Sequence, residues 1–208
     1  MRFVILGATG GTGLQLIRRA LTNGHAVTAF VRSTEPLREF EGCIDIRKGD
    51  LLDKDTLADA LRGHDAVLSA FGPRIPIAQS DIHLLEQFAG VLTGAMANAE
   101  VQRLVIISTA FLFKDSIVPP AYLLGRMLFP TVVSDTVACE RIVRQSQLDW
   151  TIVRPPQLTD KPFRGSYRVR FGHLPRFGFK ISRADVADYF IRSAPDRSLS
   201  SKIVGISN

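Results

Sequence analysis

Met1-Arg-Phe-Val-Ile-Leu-Gly7-Ala-Thr-Gly10-Gly11-Thr-Gly13 opens the chain, and the reading of this stretch decides the fold. Phe3 to Leu6 is an apolar run of strand length. It ends in glycines and passes directly into Leu14, Ile17 and Leu21, apolar positions at helical spacing. A strand, a glycine turn and a helix in that order give the glycines a physical task. Gly7 permits the tight turn, Gly10 or Gly11 lets backbone N–H groups approach a pyrophosphate, and Gly13 lets helix pack on strand. Thr9 and Thr12 belong to the same loop. The helix N-terminus adds a partial positive charge aimed at the phosphates. The stretch reads as a dinucleotide site; the alternative is a glycine turn in an α/β domain that holds no ligand. Its spacing is G-x-x-G-x-x-G, not the G-x-G-x-x-G of ordinary dehydrogenases.

Asn23-Gly24 stops the first helix, and His25 to Val31 reads as the second strand. It delivers Arg32 and Ser33 to the carboxyl edge, nineteen and twenty residues beyond Gly13. An acidic residue in this region would hold a ribose 2′-OH, whereas an arginine suits a 2′-phosphate. Arg32 with Ser33 therefore favours NADP(H) over NAD(H), unless Arg32 is an ordinary solvated arginine after a strand. Cys43 to Arg47 supplies a third strand and Gly49-Asp50-Leu51 its turn. Asp50, beside Leu51, sits where a carboxylate accepts a hydrogen bond from an adenine amino group, or it caps the chain before a helix over 53–61.

Further strands are read over 66–70, 101–107, 150–153, 166–171 and 202–207, and helices over 80–98, 134–145 and from Ser182-Arg-Ala-Asp185 onward. At Ala70-Phe71-Gly72 the small residues Ala70 and Gly72 would let a strand end approach the cofactor ribose. Ser108 and Thr109 follow the fifth strand, where ligands sit in such sheets; the alternative is a strand-end turn satisfying backbone groups. Pro119-Pro120 starts an irregular or helical segment through Tyr122 and Met127, and Arg154-Pro155-Pro156-Gln157 halts the sixth strand. Strands alternate with helices almost throughout, which predicts a single-domain α/β fold with a doubly wound parallel sheet over 1–208, and a small substrate-side region over about 155–183.

The 208 residues and 46% hydrophobic content suit one substantial core. No apolar run is long enough to span a bilayer, and no secretory signal is read at the N-terminus. Cys43 and Cys139 lie far apart, in no metal-ligand spacing, and read as buried thiols of a cytoplasmic protein; the four histidines make no zinc pattern. No metal, nucleic acid or membrane partner is expected, and a monomer or weak dimer is. The net charge of +6 is concentrated. Lys161, Arg164, Arg168, Arg170, Arg176, Lys180 and Arg183 fall in one stretch with no acidic residue, so the rest of the chain stands at −1. That stretch suits an anionic substrate or cofactor, or is a solvated surface.

Taken in order, Gly7-Ala-Thr-Gly-Gly-Thr-Gly13, Arg32, Gly49-Asp50-Leu51, Ser108-Thr109-Ala110-Phe111, Val153-Arg-Pro-Pro156 and Ile181-Ser-Arg-Ala-Asp-Val-Ala187 resemble an atypical short-chain dehydrogenase/reductase of the NAD(P)H-binding, NmrA-like group. Within that group the chain is similar to the biliverdin reductase B / NADPH-flavin reductase family. The resemblance implies a Rossmann fold with Gly7, Gly10 and Gly13 on the pyrophosphate, Arg32 and Ser33 on the 2′-phosphate, and Asp50 and Leu51 on adenine. It implies Ser108 and Thr109 at the nicotinamide, with backbone of Pro155 to Gln157 at its amide. Two departures matter. The Tyr-x-x-x-Lys pair of ordinary members falls, by register, near Val132 and Thr136, and the only similar spacing is Tyr122-x-x-x-Arg126. Gln157 stands where the flavin-reductase branch has a His, and Gln cannot ionise. The expected function is an NADPH-dependent reductase of a flavin, quinone-like or tetrapyrrole acceptor, with flavin as substrate. The alternatives are an NADP(H)-binding redox sensor without turnover, favoured by the missing pair, and, less so, a nucleotide-sugar epimerase or dehydratase, which would need a general base.

Overall fold

The computed structural model of the chain describes residues 1–72, 83–113 and 130–208. β1 (Arg2–Leu6) and β4 (Ala66–Ser69) are paired as the third and fourth strands of an eight-stranded sheet. On one side of them lie β2 (Ala26–Val31) and β3 (Asp45–Lys48). On the other lie β5 (Arg103–Ile107), β6 (Asp149–Arg154), β10 (Lys202–Ser207) and β8 (Arg168–Phe171). All pairings are parallel except β8 with β10. β7 (Gln157–Thr159) and β9 (Lys180–Ser182) form a separate two-stranded parallel ribbon.

Parallel sheets need both faces covered, so their central strands are apolar on both sides. Phe3, Val4, Ile5 and Leu6 are all fully buried. Phe3 and Ile5 face α1 (Gly11–Thr22) and α5 (Arg183–Ser193); Val4 and Leu6 face α2 (Lys54–Leu61), α3 (Leu84–Asn98) and α4 (Pro130–Gln145). The doubly wound sheet read from the sequence is the one observed, with one antiparallel edge strand. β10 has the expected bounds, and Ser182 caps α5 as expected, its hydroxyl accepting from Asp185 N at 2.9 Å.

The differences have physical causes. Cys43 is exposed, not buried: it sits in a turn after Phe40, its N–H donating to the Phe40 carbonyl, and β3 begins only at Asp45 on the sheet edge. Cys139 is buried as expected. Among the described residues α4 runs from Pro130, so it extends N-terminally of the expected Ser134. The 80–98 helix begins, among the described residues, at Leu84. The fifth strand starts at Arg103, whose side chain is 1% exposed. Its Nε donates to Ala194 O at 3.0 Å, its Nη2 to Ser193 O at 2.6 Å, and its Nη1 to Asp149 Oδ1 at 3.1 Å. A cation thus satisfies the carbonyl end of α5, where the macrodipole is negative. The Pro119-Pro120 segment and the Tyr122–Arg126 pair lie outside the described residues.

Asp185, fully buried in the first turn of α5, ties the C-terminal region together. It accepts from Ser182 Oγ, Asn208 Nδ2 and the Arg164 and Gly165 N–H groups at 2.7 to 3.0 Å. Burial pushes its carboxyl up, but the donors from Asn208, Gly165, Ser182 and Arg164 together outweigh that and hold it below the usual range. A carboxyl lowered by folding contributes stability that is complete above its unfolded value, about pH 4, and is lost as pH falls through the folded value. Asp185→Asn should therefore cost about 2–4 kcal/mol at neutral pH. Urea unfolding of both proteins should show the gap narrowing as pH drops toward about 3; a gap that does not narrow would remove Asp185 as the source.

Candidate dinucleotide-binding site

The chain leaves β1 toward β2 and β3 on one side and returns at β4 on the other. The carboxyl ends of β1 and β4 therefore flank the crevice where open α/β sheets take their ligands. Gly7 turns there with φ +71°. A β-carbon on it would stand 2.6 Å from Phe71 N and 2.7 Å from Ala70 C. Ala70 and Phe71 are thus the wall against which the turn is built, with Gly72 exposed beyond them. The Phe71 ring packs on Phe88 at 4.7 Å. Gly13 is equally constrained, since a β-carbon would stand 2.2 Å from the Gly7 carbonyl oxygen. The Gly10 N–H closes the turn on that oxygen at 3.1 Å, and Leu14 N donates to Gly10 O.

The N–H groups of Gly11, Thr12 and Gly13, the first three of α1, have no intrahelical acceptor. No side chain caps them and no acidic residue lies in that turn. Other helices are treated differently. Asp53 caps α2, Ser182 caps α5, and buried Asp135 of α4 accepts from Leu85 N and Glu86 N at the start of α3. A tight turn with room for backbone approach and unfilled donors fits a pyrophosphate. Thr9 is half-buried and Thr12 buried in the same loop.

Arg32 and Ser33 are exposed just past β2. Among the described residues Arg32 has no ion-pair partner, so its fork is free for a phosphate. Asp50 is exposed and its Oδ1 accepts from Leu52 N at 3.0 Å, holding the turn; Leu51 is half-buried against the core. The turn-forming alternative for Asp50 is thus realised with one carboxylate oxygen, and Oδ2 remains for a ligand.

At the other end of the crevice, β5 and β6 are stitched by Ser108 N to Val153 O at 2.7 Å and Ala110 N to Pro155 O at 3.0 Å. Ser108 Oγ donates to Glu140 Oε1 at 2.5 Å. Arg154 grips the same carboxylate with Nε on Oε1 at 2.8 Å and Nη2 on Oε2 at 2.5 Å, and its guanidinium lies 4.7 Å over the Phe113 ring. Thr109 Oγ1 accepts from Phe111 N at 3.3 Å, capping a short 3-10 turn. Pro155 is buried, Pro156 half-buried, and Gln157 exposed, its N–H donating to Phe179 O. Thr136 Oγ1 donates to Val132 O at 2.7 Å. Burial, with Glu140 and Asp135 nearby, pushes the Cys139 thiol up to about 12, so it stays protonated and inert.

Sequence reasoning missed Glu140 and Arg154. An acidic residue between Cys139 and Val143 on the core-facing side of α4 was the available signal, because such a carboxylate must find a cation. Among the described residues no group of His, Cys, Asp and Glu could hold a metal, and no helix is long and apolar enough to cross a membrane.

Glu140 is 6% exposed and paired on both oxygens. Glu140→Ala leaves the Arg154 guanidinium buried and uncompensated, and should cost about 3–5 kcal/mol in urea unfolding. A loss under about 1 kcal/mol would mean the pair adds nothing to the floor of the site.

A family model described as NAD(P)H-binding matches residues 7–197. An uncharacterised chloroplastic protein of Arabidopsis thaliana is 29% identical over 212 residues, covering 97% of this chain and 75% of the relative. The anaerobilin reductase ChuY of Escherichia coli O157:H7 superposes with a TM-score of 0.81 at 20% identity, over 100% of this chain and 97% of that one. A short-chain dehydrogenase/reductase of Veillonella parvula DSM 2008, solved in complex with NADP, gives 0.78 at 18% identity, over 100% and 94%. At these identities the structures show a shared fold. The family match begins at the first glycine of the turn and ends at Arg197, so both ends of the crevice lie within it: the chain belongs to the NAD(P)H-binding family.

Proposed function

We propose that the protein is an NADPH-dependent reductase of a planar acceptor of the flavin, quinone or tetrapyrrole kind, working without a tyrosine–lysine pair. The uncapped N-terminus of α1, together with an Arg32 that has no ion-pair partner among the described residues, carries this reading. Gly7, Thr9, Gly10, Gly11, Thr12 and Gly13 would cradle the pyrophosphate, Arg32 and Ser33 the 2′-phosphate, and Asp50 and Leu51 the adenine. Ala70, Phe71 and Gly72 would flank the ribose, and Ser108, Thr109 and the Pro155–Gln157 backbone the nicotinamide. When bound, NADPH supplies the hydride. The chain's own residues orient and shield.

Their commitments support that division of labour. The Ser108 proton points at Glu140, Thr136 bonds its own helix, Val132 has no proton to give, and Gln157 does not ionise. An acceptor that takes its proton from water after reduction suits such a site; oxidation of a sugar hydroxyl, which needs a base, does not. Arg170, Arg176 and Lys180, exposed in the 155–183 region and without ion-pair partners among the described residues, suit an anionic acceptor. The same lack of a free acid or base among these described residues favours a second reading, a protein that binds NADP(H) as a redox sensor and turns nothing over.

Two outcomes follow. Arg32→Glu should weaken NADPH binding at least about 10-fold more than NADH binding, because it sets a like charge beside the 2′-phosphate. Equal losses in a fluorescence titration would remove Arg32 from that role. Purified protein mixed with NADPH and FMN should consume NADPH absorbance. Saturable NADPH binding with no turnover across flavins and quinones would instead establish the sensor.

A further inference from the structure

Arg183 is the first residue of α5, which packs alongside α1. Its side chain lies over the α1 N-terminus: a methyl built on Gly11 would stand 2.9 Å from both its Cδ and Nε and 3.6 Å from Cζ. The outer nitrogen Nη1 donates to Asp160 Oδ1 at 2.6 Å. The Arg183 side chain is 28% exposed and that of Asp160 87% exposed. The cation is therefore seated in the protein while its carboxylate partner stands in water, where an ion pair is weak.

That placement is electrostatically unfavourable without a further anion. The first turn of a helix is its positive end, and cations are disfavoured there. Arg183 occupies the first turn of its own helix and overhangs the first turn of a second one. At α5 the macrodipole is offset by Asp185 and the Ser182 cap; the first turn of α1 has neither an acidic residue nor a side-chain cap. The positive end of α1, its three first-turn N–H groups and the Arg183 guanidinium thus come together beside the glycine turn.

We propose that Arg183 is a pyrophosphate ligand of the dinucleotide and that Asp160 is only its resting counter-ion, the guanidinium exchanging Asp160 for the phosphates on binding. The proposal rests on the reading of the α1 N-terminus as the cofactor site. A guanidinium meets phosphate oxygens in a planar, two-pronged geometry that a solvated carboxylate on a loop does not improve upon. Arg183 would then read the part common to both dinucleotides, whereas Arg32 reads the 2′-phosphate that only one of them carries. The last basic residue of the 161–183 stretch would serve the cofactor and not the acceptor.

Titration of the full chain with NADPH, NADH and adenosine 2′-monophosphate tests this. Arg183→Gln should weaken both dinucleotides alike, by about 10- to 100-fold, and leave adenosine 2′-monophosphate within about 2-fold of wild type, since it has no pyrophosphate. Arg183→Lys should recover part of the loss. Asp160→Asn, which removes the competing carboxylate, should bind both dinucleotides as well as wild type or up to about 5-fold tighter. Unchanged dinucleotide binding by Arg183→Gln would overturn the proposal. So would an equal loss of adenosine 2′-monophosphate, which marks a general defect, or a loss in Asp160→Asn as large as in Arg183→Gln. Wild-type protein that bound neither dinucleotide would overturn the cofactor site itself, an outcome distinct from any of these.

Discussion

A β-carbon at residue 13 would lie 2.2 Å from the Gly7 carbonyl oxygen, and the ligand end of the molecule depends on its absence. The close approach seats α1 directly on the turn that leaves β1. Because the helix starts so near the strand, its first N–H groups open onto the strand ends and not onto solvent at the flank. The same turn needs φ +71° at Gly7, where a side chain would strike the backbone of Ala70 and Phe71. Two missing side chains therefore fix β1, α1 and β4 relative to one another. The crevice between β1 and β4 inherits its width from that contact.

The features legible in the sequence were those whose cause is local. The apolar run, the glycines and the helical repeat of the opening stretch lie within about one strand and one helix, and each carries its own periodic or conformational signal. Ser182 with Asp185 is a cap written in four residues, and it formed. Arg103 shows the opposite case. By residue type it belongs to the surface, yet its partners at Ser193 and Ala194 are 90 and 91 residues away in sequence. Only tertiary contact can make an arginine a buried residue, so no window of sequence announces it. Cys43 erred in the other direction, because a thiol's usual burial yields when its turn sits on an edge strand.

The candidate site divides along the same line. The elements proposed to hold phosphate follow from spacing: Gly7 to Gly13, then Arg32 at the end of β2. The floor at the β5–β6 end of the crevice does not, because Ser108, Glu140 and Arg154 come from the end of β5, from α4 and from β6 and meet only after folding. Ser108 was legible as a residue in the right place, but its proton's direction was not. β7 and β9 were missed for a related reason. A three-residue strand carries no period, and Gln157 acquires its strand only by pairing with Lys180.

The distribution of satisfied charge explains what the crevice is suited to hold. Asp53 and Asp135 spend their negative charge on helix N-termini, Asp185 on the Arg164 and Gly165 N–H groups, Ser182 and Asn208; Asp188 is gripped by Arg19 and Arg192, and Glu140 by Arg154. Each of these carboxylates is consumed by the scaffold. Among the described residues Arg32 has no such counterpart, Arg183 has only the solvent-exposed Asp160, and α1 presents its positive end without a side-chain cap. An anion-rich ligand supplies the charge that the fold leaves out at that edge. A scaffold that neutralises its buried acids internally and withholds them from the glycine turn favours a polyphosphate there over a neutral or cationic molecule.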